Sequence, residues 1–393
     1  MKCIWASWCA VLLFTGCAHV ETKRDDLESE ALRAFTVSDT TKDAKVKERS
    51  DYELATAFKN LKLPFTAFIY FTPLVQAGPT HAFHFQAVEA LTELQPILRD
   101  DFLIPSTFNN YYQHYETAWR KLPAETQASI SYNMARIANR KLKLLEARAF
   151  IDAIPRESAL FARAETLLAS VLSDARYPAD DEAARVRNLE TALAIVEKNH
   201  ATLELARINY DAGHLDEARR WYQQEPRYSE AWNHSLFESL PTARVTLACL
   251  FVGANSSLAD FEKTYLPIAE AITARAVEEP SKNPFAFIDI MTNEKNTDIP
   301  APVVIWLRSH QRTVDTVAMF GELEAEQLDV ASRVSWTGEK LTSEVLMYLR
   351  LNRETLEKVT AHQIRGQLMS AATAIIDFDQ QVKRVQSGEL KCK

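Results

Sequence analysis

The chain has 393 residues, 47% hydrophobic and 25% charged, a composition that fits a globular protein and excludes a disordered or collagen-like one. Glycine is scarce, at 8 residues against a usual share of roughly 7%, which argues against a sheet fold rich in tight turns and against Gly-rich phosphate loops. The formal charge of −8 makes the chain a poor candidate for non-specific nucleic-acid binding, which needs a cationic surface. Together these figures favour an all-helical protein.

Residues 1–17 read MKCIWASWCAVLLFTGC. Lys2 is a short positive start. Cys3 to Phe14 is an apolar run too short to span a bilayer, which takes roughly 20 residues. Phe14-Thr15-Gly16-Cys17 then sets small residues directly before a cysteine. The arrangement resembles the lipobox of bacterial lipoproteins, with Phe14 where that family usually carries an aliphatic residue. The resemblance implies a signal peptide over 1–16 and acylation of Cys17. It also implies sorting to the outer membrane, because Ala18 rather than Asp follows the cysteine. Two or three acyl chains give stable anchoring, which a single chain would not. Cys249 and Cys392 are then the remaining thiols, and two cysteines make no disulfide framework. Cys249 lies in an apolar run and reads as a small buried residue. The rest of 17–50 is polar and charged and reads as a flexible tether.

From Asp51 onward helical patterns alternate with short Pro- or Asn-containing breaks. The stretch 64–119 is aromatic. Phe108, Tyr111, Tyr112, Tyr115 and Trp119 recur at steps of three and four, which is one face of a helix. Two readings stay open: helix–helix packing, or a ligand surface formed by Tyr111, Tyr112, Tyr115 and Trp119.

The strongest internal signal is a repeat. Leu203 to Tyr222 reads as a helix, a turn at Gly213 and a second helix, with Ala206 and Ala218 twelve residues apart. Small residues there let two antiparallel helices approach closely, while Leu205, Tyr210, Leu215 and Tyr222 fill the surrounding space. Ala135 and Ala147 repeat the offset of twelve, and Ala135 lies 71 residues before Ala206. That is about two steps of a 34-residue repeat. The span 158–197 supplies the unit between them, with a lengthened turn at Ser173–Asp181. Ser158 and Ser229 each follow a proline and could cap the next helix. The pattern resembles the tetratricopeptide repeat, and the early prolines Pro155 and Pro226 resemble those of tetratricopeptide-like lipoproteins of Gram-negative bacteria. The resemblance is clearest over about 130–240, extends more weakly over 51–130 and is lost beyond about 250. It implies a right-handed α-solenoid of antiparallel helix pairs over 51–250.

In the region 251–393, Leu258, Phe261, Tyr265, Ile268 and Ile272 share a helix face. The proline-punctuated stretch 280–302 reads as a hinge or exposed loop. Residues 341–386 carry apolar positions from Leu356 to Val385 at helical spacing, so a long amphipathic helix is expected, either capping the solenoid or pairing with a partner.

Chemistry is hard to find. His81 and His84 are three apart, but a zinc site needs three or four ligands, and no His-Glu-x-x-His, Gly-x-Ser-x-Gly or Walker pattern occurs. No catalytic residue, metal or cofactor is therefore assigned. The expectation is a lipid-anchored helical-repeat scaffold that binds proteins of a cell-envelope complex and no nucleic acid. The alternatives are a small-ligand receptor using the aromatic segment and a cell-wall-acting enzyme.

Overall fold

The computed structural model describes residues 24–99, 102–225, 258–277, 279–292, 299, 303–304, 307–308, 311–336 and 339–389. The lipobox with Cys17, the turn motif at Pro226–Trp232, Cys249 and Cys392 lie outside the described residues. Among the described residues every regular element is helical, with no strand. No helix among them is long and apolar enough to cross a membrane. The chain divides into two compact units, one drawn from Met1–Ile130 with Met319–Arg353, the other from Ser131–Ala318 with Glu354–Lys393. This division does not follow the expected boundary at 250, because a C-terminal stretch folds with the N-terminal helices.

In unit 1, helix α1 (24–40) is followed by α2 (Ala44–Asn60), α3 (Pro64–Gln76), α4 (His84–Ile97) and α5 (Leu103–Trp119). α3 packs against α2, α4 and α5. α2 starts where the Asp43 carboxylate accepts from the Lys45 amide at 2.9 Å, taking up an N–H that has no intrahelical partner. α2 ends in a Schellman turn, with Lys62 at φ 63°, Leu63 N–H donating to Phe58 C=O at 3.0 Å and Lys62 N–H to Lys59 C=O at 3.2 Å. α3 opens on Pro64, whose fixed φ suits the first helical position. The start of α3 has no side-chain cap of its own. Glu326, on α14 (Gln311–Ser332), supplies one. Its carboxylate accepts from the Phe65 amide at 3.0 Å, the Thr66 amide at 2.7 Å and the Thr66 hydroxyl at 2.6 Å.

The expected tether is corrected here over residues 24–50. Both α1 and the first turns of α2 are ordered helix, and Ala31, Ala34 and Phe35 are buried. Glu28 is buried too, and accepts from Arg333 at 2.6 Å and from Ser335, while Trp336 donates its indole N–H to the Glu28 carbonyl at 3.1 Å. Arg24 extends the network to Asp329 at 2.7 Å. A charged segment can fold in this way because its single buried acid meets a guanidinium supplied from some 300 residues away in sequence.

Unit 2 takes in part of α6 (Ala124–Arg140), then α7 (Leu144–Asp152), α8 (Phe161–Ser173), α9 (Glu182–Lys198), α10 (Thr202–Asp211) and α11 (Leu215–Gln224). α8 packs on α9 and α10 on α11, with further contacts of α7 to α8, α9 to α10 and α8 to α10. Three turns repeat the Schellman geometry. Leu142 at φ 59°, His200 at φ 53° and Gly213 at φ 79° are each followed by an amide that bonds back across the turn. Those bonds run from Lys143 to Ala138 at 2.9 Å, from Ala201 to Val196 at 2.9 Å and from His214 to Asn209 at 2.8 Å. The turn between α8 and α9 is longer, and Asp181 caps α9 by accepting from the Ala184 amide at 2.6 Å. Ser158 accepts from the Leu160 amide at 3.1 Å, ahead of α8, so it braces the approach to that helix rather than capping it.

The remainder of unit 2 holds α12 (Leu258–Val277), α13 (Phe285–Thr292) and the C-terminal part of α15 (Lys340–Gln386). Ile272, Phe287, Ile290, Leu307, Ile364 and Leu368 form one apolar core there. The expected hinge or loop over 280–302 is corrected over Phe285–Thr292, where Pro284 precedes a short helix that buries Phe287 and Ile290 completely; 293–298 and 300–302 lie outside the described residues. The long amphipathic helix expected over 341–386 is present as α15.

Candidate functional site

A cavity of about 480 Å³, open to solvent, lies in unit 2. Its walls come from the first helix of three successive helix pairs. α6 contributes Tyr132. α8 contributes Arg163, Thr166, Leu167, Ser170 and Ser173, and α10 contributes Glu204, Arg207, Ile208 and Tyr210. Tyr222 of α11 completes the lining. The α8 residues step by three and four, so one polar helix face points at the cavity while Ala164, Val171 and Leu172 are buried elsewhere on the helix.

The floor is apolar, since Ile208 and Tyr222 are buried and Leu167 is half-buried. Charge sits above it. Arg207 pairs with Glu204 one turn away, and Arg163 is exposed. The Arg136 guanidinium lies 5.8 Å from the centre of the Tyr132 ring, within cation–π range. Thr166 donates its hydroxyl to the Ala162 carbonyl at 3.0 Å and Ser173 donates to the Ser170 carbonyl at 3.2 Å. Those two hydroxyls therefore present lone pairs to an occupant. The wall combines aromatic faces, hydroxyl oxygens and guanidinium groups, which suits binding of a polar, extended ligand.

The residues expected to pack the repeats lie on or between α6, α7, α10 and α11. Ala135, Ala147, Ala206 and Ala218 are fully buried, and Leu205 and Tyr222 nearly so. Ala206, Ala218 and Tyr222 form one cluster, against which Leu203, Tyr210 and Trp221 pack. Tyr222 thus both packs the pair and lines the cavity. Gly213 occupies the left-handed position of the turn between α10 and α11, where it carries no Cβ penalty.

The aromatic face of α5 is tied into unit 1. Trp119 is buried and donates its indole N–H to His84 Nε2 at 2.9 Å, while His84 Nδ1 lies 3.3 Å from the Leu74 carbonyl. Nε2 must therefore be the acceptor and Nδ1 the protonated nitrogen. Burial pushes the His84 pKa down, which keeps the ring neutral. Tyr115 donates to the Gln76 carbonyl at 3.0 Å. It lies over Gly78, where an added Cβ would stand 2.8 Å from its hydroxyl oxygen. Tyr111 stacks on Tyr115 at 6.1 Å, and Tyr112 meets Trp119 edge-on at 6.2 Å.

The other strongly perturbed groups also have structural partners. Burial pushes Glu326 up to about 7 despite its three donors, and Tyr70 is pushed up by burial beside Glu344, to which its hydroxyl donates at 3.1 Å. Among the described residues no cluster of three or more His, Cys, Asp or Glu is placed to hold a metal ion.

Tyr132, Arg163, Thr166, Ser170 and Arg207 do not stand out in the sequence as a site. Their signal is a polar stripe at helical spacing, which is also the pattern of an ordinary solvated helix face. Only the stacking of α6, α8 and α10 distinguishes the two. No protein-family model, curated protein or solved structure matches the chain.

Proposed function

We propose that the protein is a binding scaffold whose helix pairs stack as a right-handed, tetratricopeptide-like α-solenoid with a C-terminal helical cap. In this reading the cavity of unit 2 is part of a groove that receives an extended segment of a protein partner. One observation carries it: the lining comes from the first helix of three consecutive pairs rather than from a single pair. A groove that runs across repeats presents a similar surface at each step, which suits an extended chain. The lipobox-like sequence ending at Cys17 supports a scaffold held on the outer membrane by a lipid anchor, with partners in the cell envelope and no catalytic step of its own.

The test is site-specific photo-crosslinking in native envelopes. A crosslinker at Ser170, inside the cavity, should give a discrete protein adduct, and one at the exposed Glu190 on α9 should not. Absence of any adduct from Ser170 and Tyr210 would end the scaffold reading. A cavity of about 480 Å³ also falls within the usual size of small-molecule sites. Thermal stabilisation by a fractionated small-molecule extract, without protein adducts, would favour that second reading.

A further inference from the structure

We infer that the cavity of unit 2 selects partner segments carrying an acidic side chain, and that Arg163 is the residue that takes the carboxylate. The inference rests on the groove reading and specifies its ligand.

Arginines in this unit are commonly engaged by neighbours. Arg207 is held by Glu204, Arg220 by Glu217 at 2.9 Å, and Arg176 by Asp174 at 2.6 Å. Arg148 donates to the Tyr177 hydroxyl at 2.7 Å. Arg163 differs. It is exposed at the cavity, and among the described residues it has no ion pair or hydrogen bond. Glu204 is the only carboxylate in the lining among the described residues, and its charge is matched by Arg207. The net charge of the wall is therefore that of one guanidinium, in a chain whose overall charge is −8. A guanidinium presents a planar fork of donors that fits a carboxylate in bidentate fashion.

The remaining groups fix the rest of the ligand. Thr166 and Ser173 have spent their protons on carbonyls, so they accept, which matches the N–H groups of an extended backbone. Leu167, Ile208 and Tyr222 give an apolar floor for a neighbouring side chain. The class of ligand is thus an extended peptide segment with an Asp or Glu beside an apolar or aromatic residue. A phosphate group fits less well, because its second negative charge would face Glu204 with no further unmatched cation in the described lining.

The test uses the full chain and a library of N-acetylated, C-terminally amidated hexapeptides, so that side chains alone carry charge. Peptides retained by the protein are identified by mass spectrometry. The most enriched is then titrated by fluorescence anisotropy beside its Asp→Asn or Glu→Gln isostere. Retained peptides should carry an acid next to an apolar residue, and the isostere should bind about tenfold more weakly. Arg163→Gln should abolish that discrimination. Because Arg163 is exposed, the replacement leaves helix packing intact. Arg176→Gln, at a residue outside the cavity lining, should preserve it. Retained peptides without acids, or discrimination that survives Arg163→Gln, overturn the inference while the groove reading stands. Inorganic phosphate binding as tightly as the acidic peptide overturns it in favour of an anion site. Retention of no peptide, together with no adduct from Ser170, overturns the groove reading as well.

Discussion

Leu142 takes the left-handed backbone position at the end of α6, with φ 59°, although its side chain is half exposed. A residue with a Cβ gives up about 1–2 kcal/mol there, whereas glycine gives up about 0.5–1 kcal/mol more chain entropy on folding. Leu142→Gly should therefore stabilise unit 2 slightly, by about 0.5 kcal/mol, and Gly213→Ala at the equivalent turn should destabilise it by about 1 kcal/mol. Urea midpoints of the two variants check the pair, and opposite signs are the expected result. Glu326 offers a second test at the same scale. Its pKa is raised from 4.5 to about 7, so between those values the folded state holds a proton that the unfolded state has lost. The contribution of Glu326 to stability is fully present below about pH 4.5 and declines as pH rises through 7. The total is at most about 3 kcal/mol. Burial is the main cause of the shift; Asp329 adds to it by repulsion, and the Thr66 and Phe65 donors oppose it. Glu326→Gln removes the titration, so its loss of stability from pH 4.5 to 7 should be smaller than that of the parent. Parallel pH profiles would show that the cap at α3 is charged throughout.

At the scale of the helix pair, Ala206 and Ala218 are both fully buried in one cluster with Tyr222, and a larger side chain has nowhere to go. Overpacking of this kind costs about 1–3 kcal/mol. Ala218→Leu should lower the melting temperature accordingly, whereas Arg219→Ala, at an exposed neighbour, should stay within about 0.5 kcal/mol. Equal losses at both sites would mean the helix register is wrong. This contact is legible in the sequence because small residues twelve apart, either side of a glycine, are what two helices in close antiparallel contact require. The turns at Lys62, Leu142 and His200 are not legible, because each adopts the glycine conformation without a glycine. The same holds for α1. Its burial depends on Glu28 meeting Arg333, and no local pattern announces a partner so distant in sequence. Phe285–Thr292 is hidden by its flanking prolines, one of which precedes the helix rather than breaking it. The cavity is hidden for a different reason. Arg163 and Arg207 look like surface charges on their own helices and come to line one cavity only when α8 and α10 stand side by side.

At the scale of the whole molecule, the docking of α1 changes what a lipid on Cys17 would do. A tether running to residue 50 would let the body range widely from the membrane. With 24–40 folded into unit 1 through Glu28, a span of seven residue steps separates Cys17 from the start of α1. At roughly 3.3–3.6 Å per residue, its greatest reach is about 25 Å. Two or three acyl chains would then hold the start of α1 close to the lipid headgroups. The measurement is energy transfer from a donor at the exposed Asp25 to acceptor-labelled lipids in nanodiscs, alongside detergent-phase partitioning. The lipidated chain should partition with detergent and transfer efficiently, and Cys17→Ser should lose both properties. Unchanged partitioning of Cys17→Ser would remove the lipobox reading. Partitioning that depends on Cys17, combined with a donor well beyond 25 Å from the bilayer surface, would keep the lipid and remove the short span. Glu28→Ala removes one of the two carboxylates on the buried Arg333, which keeps Asp329 at 2.6 Å, so the cost should fall below the about 3–5 kcal/mol of a wholly orphaned buried charge, and it should loosen the docking of α1. In that variant the Asp25 donor should sample a wider range of distances while partitioning stays unchanged, because the anchor is intact and only the docking of α1 has been weakened.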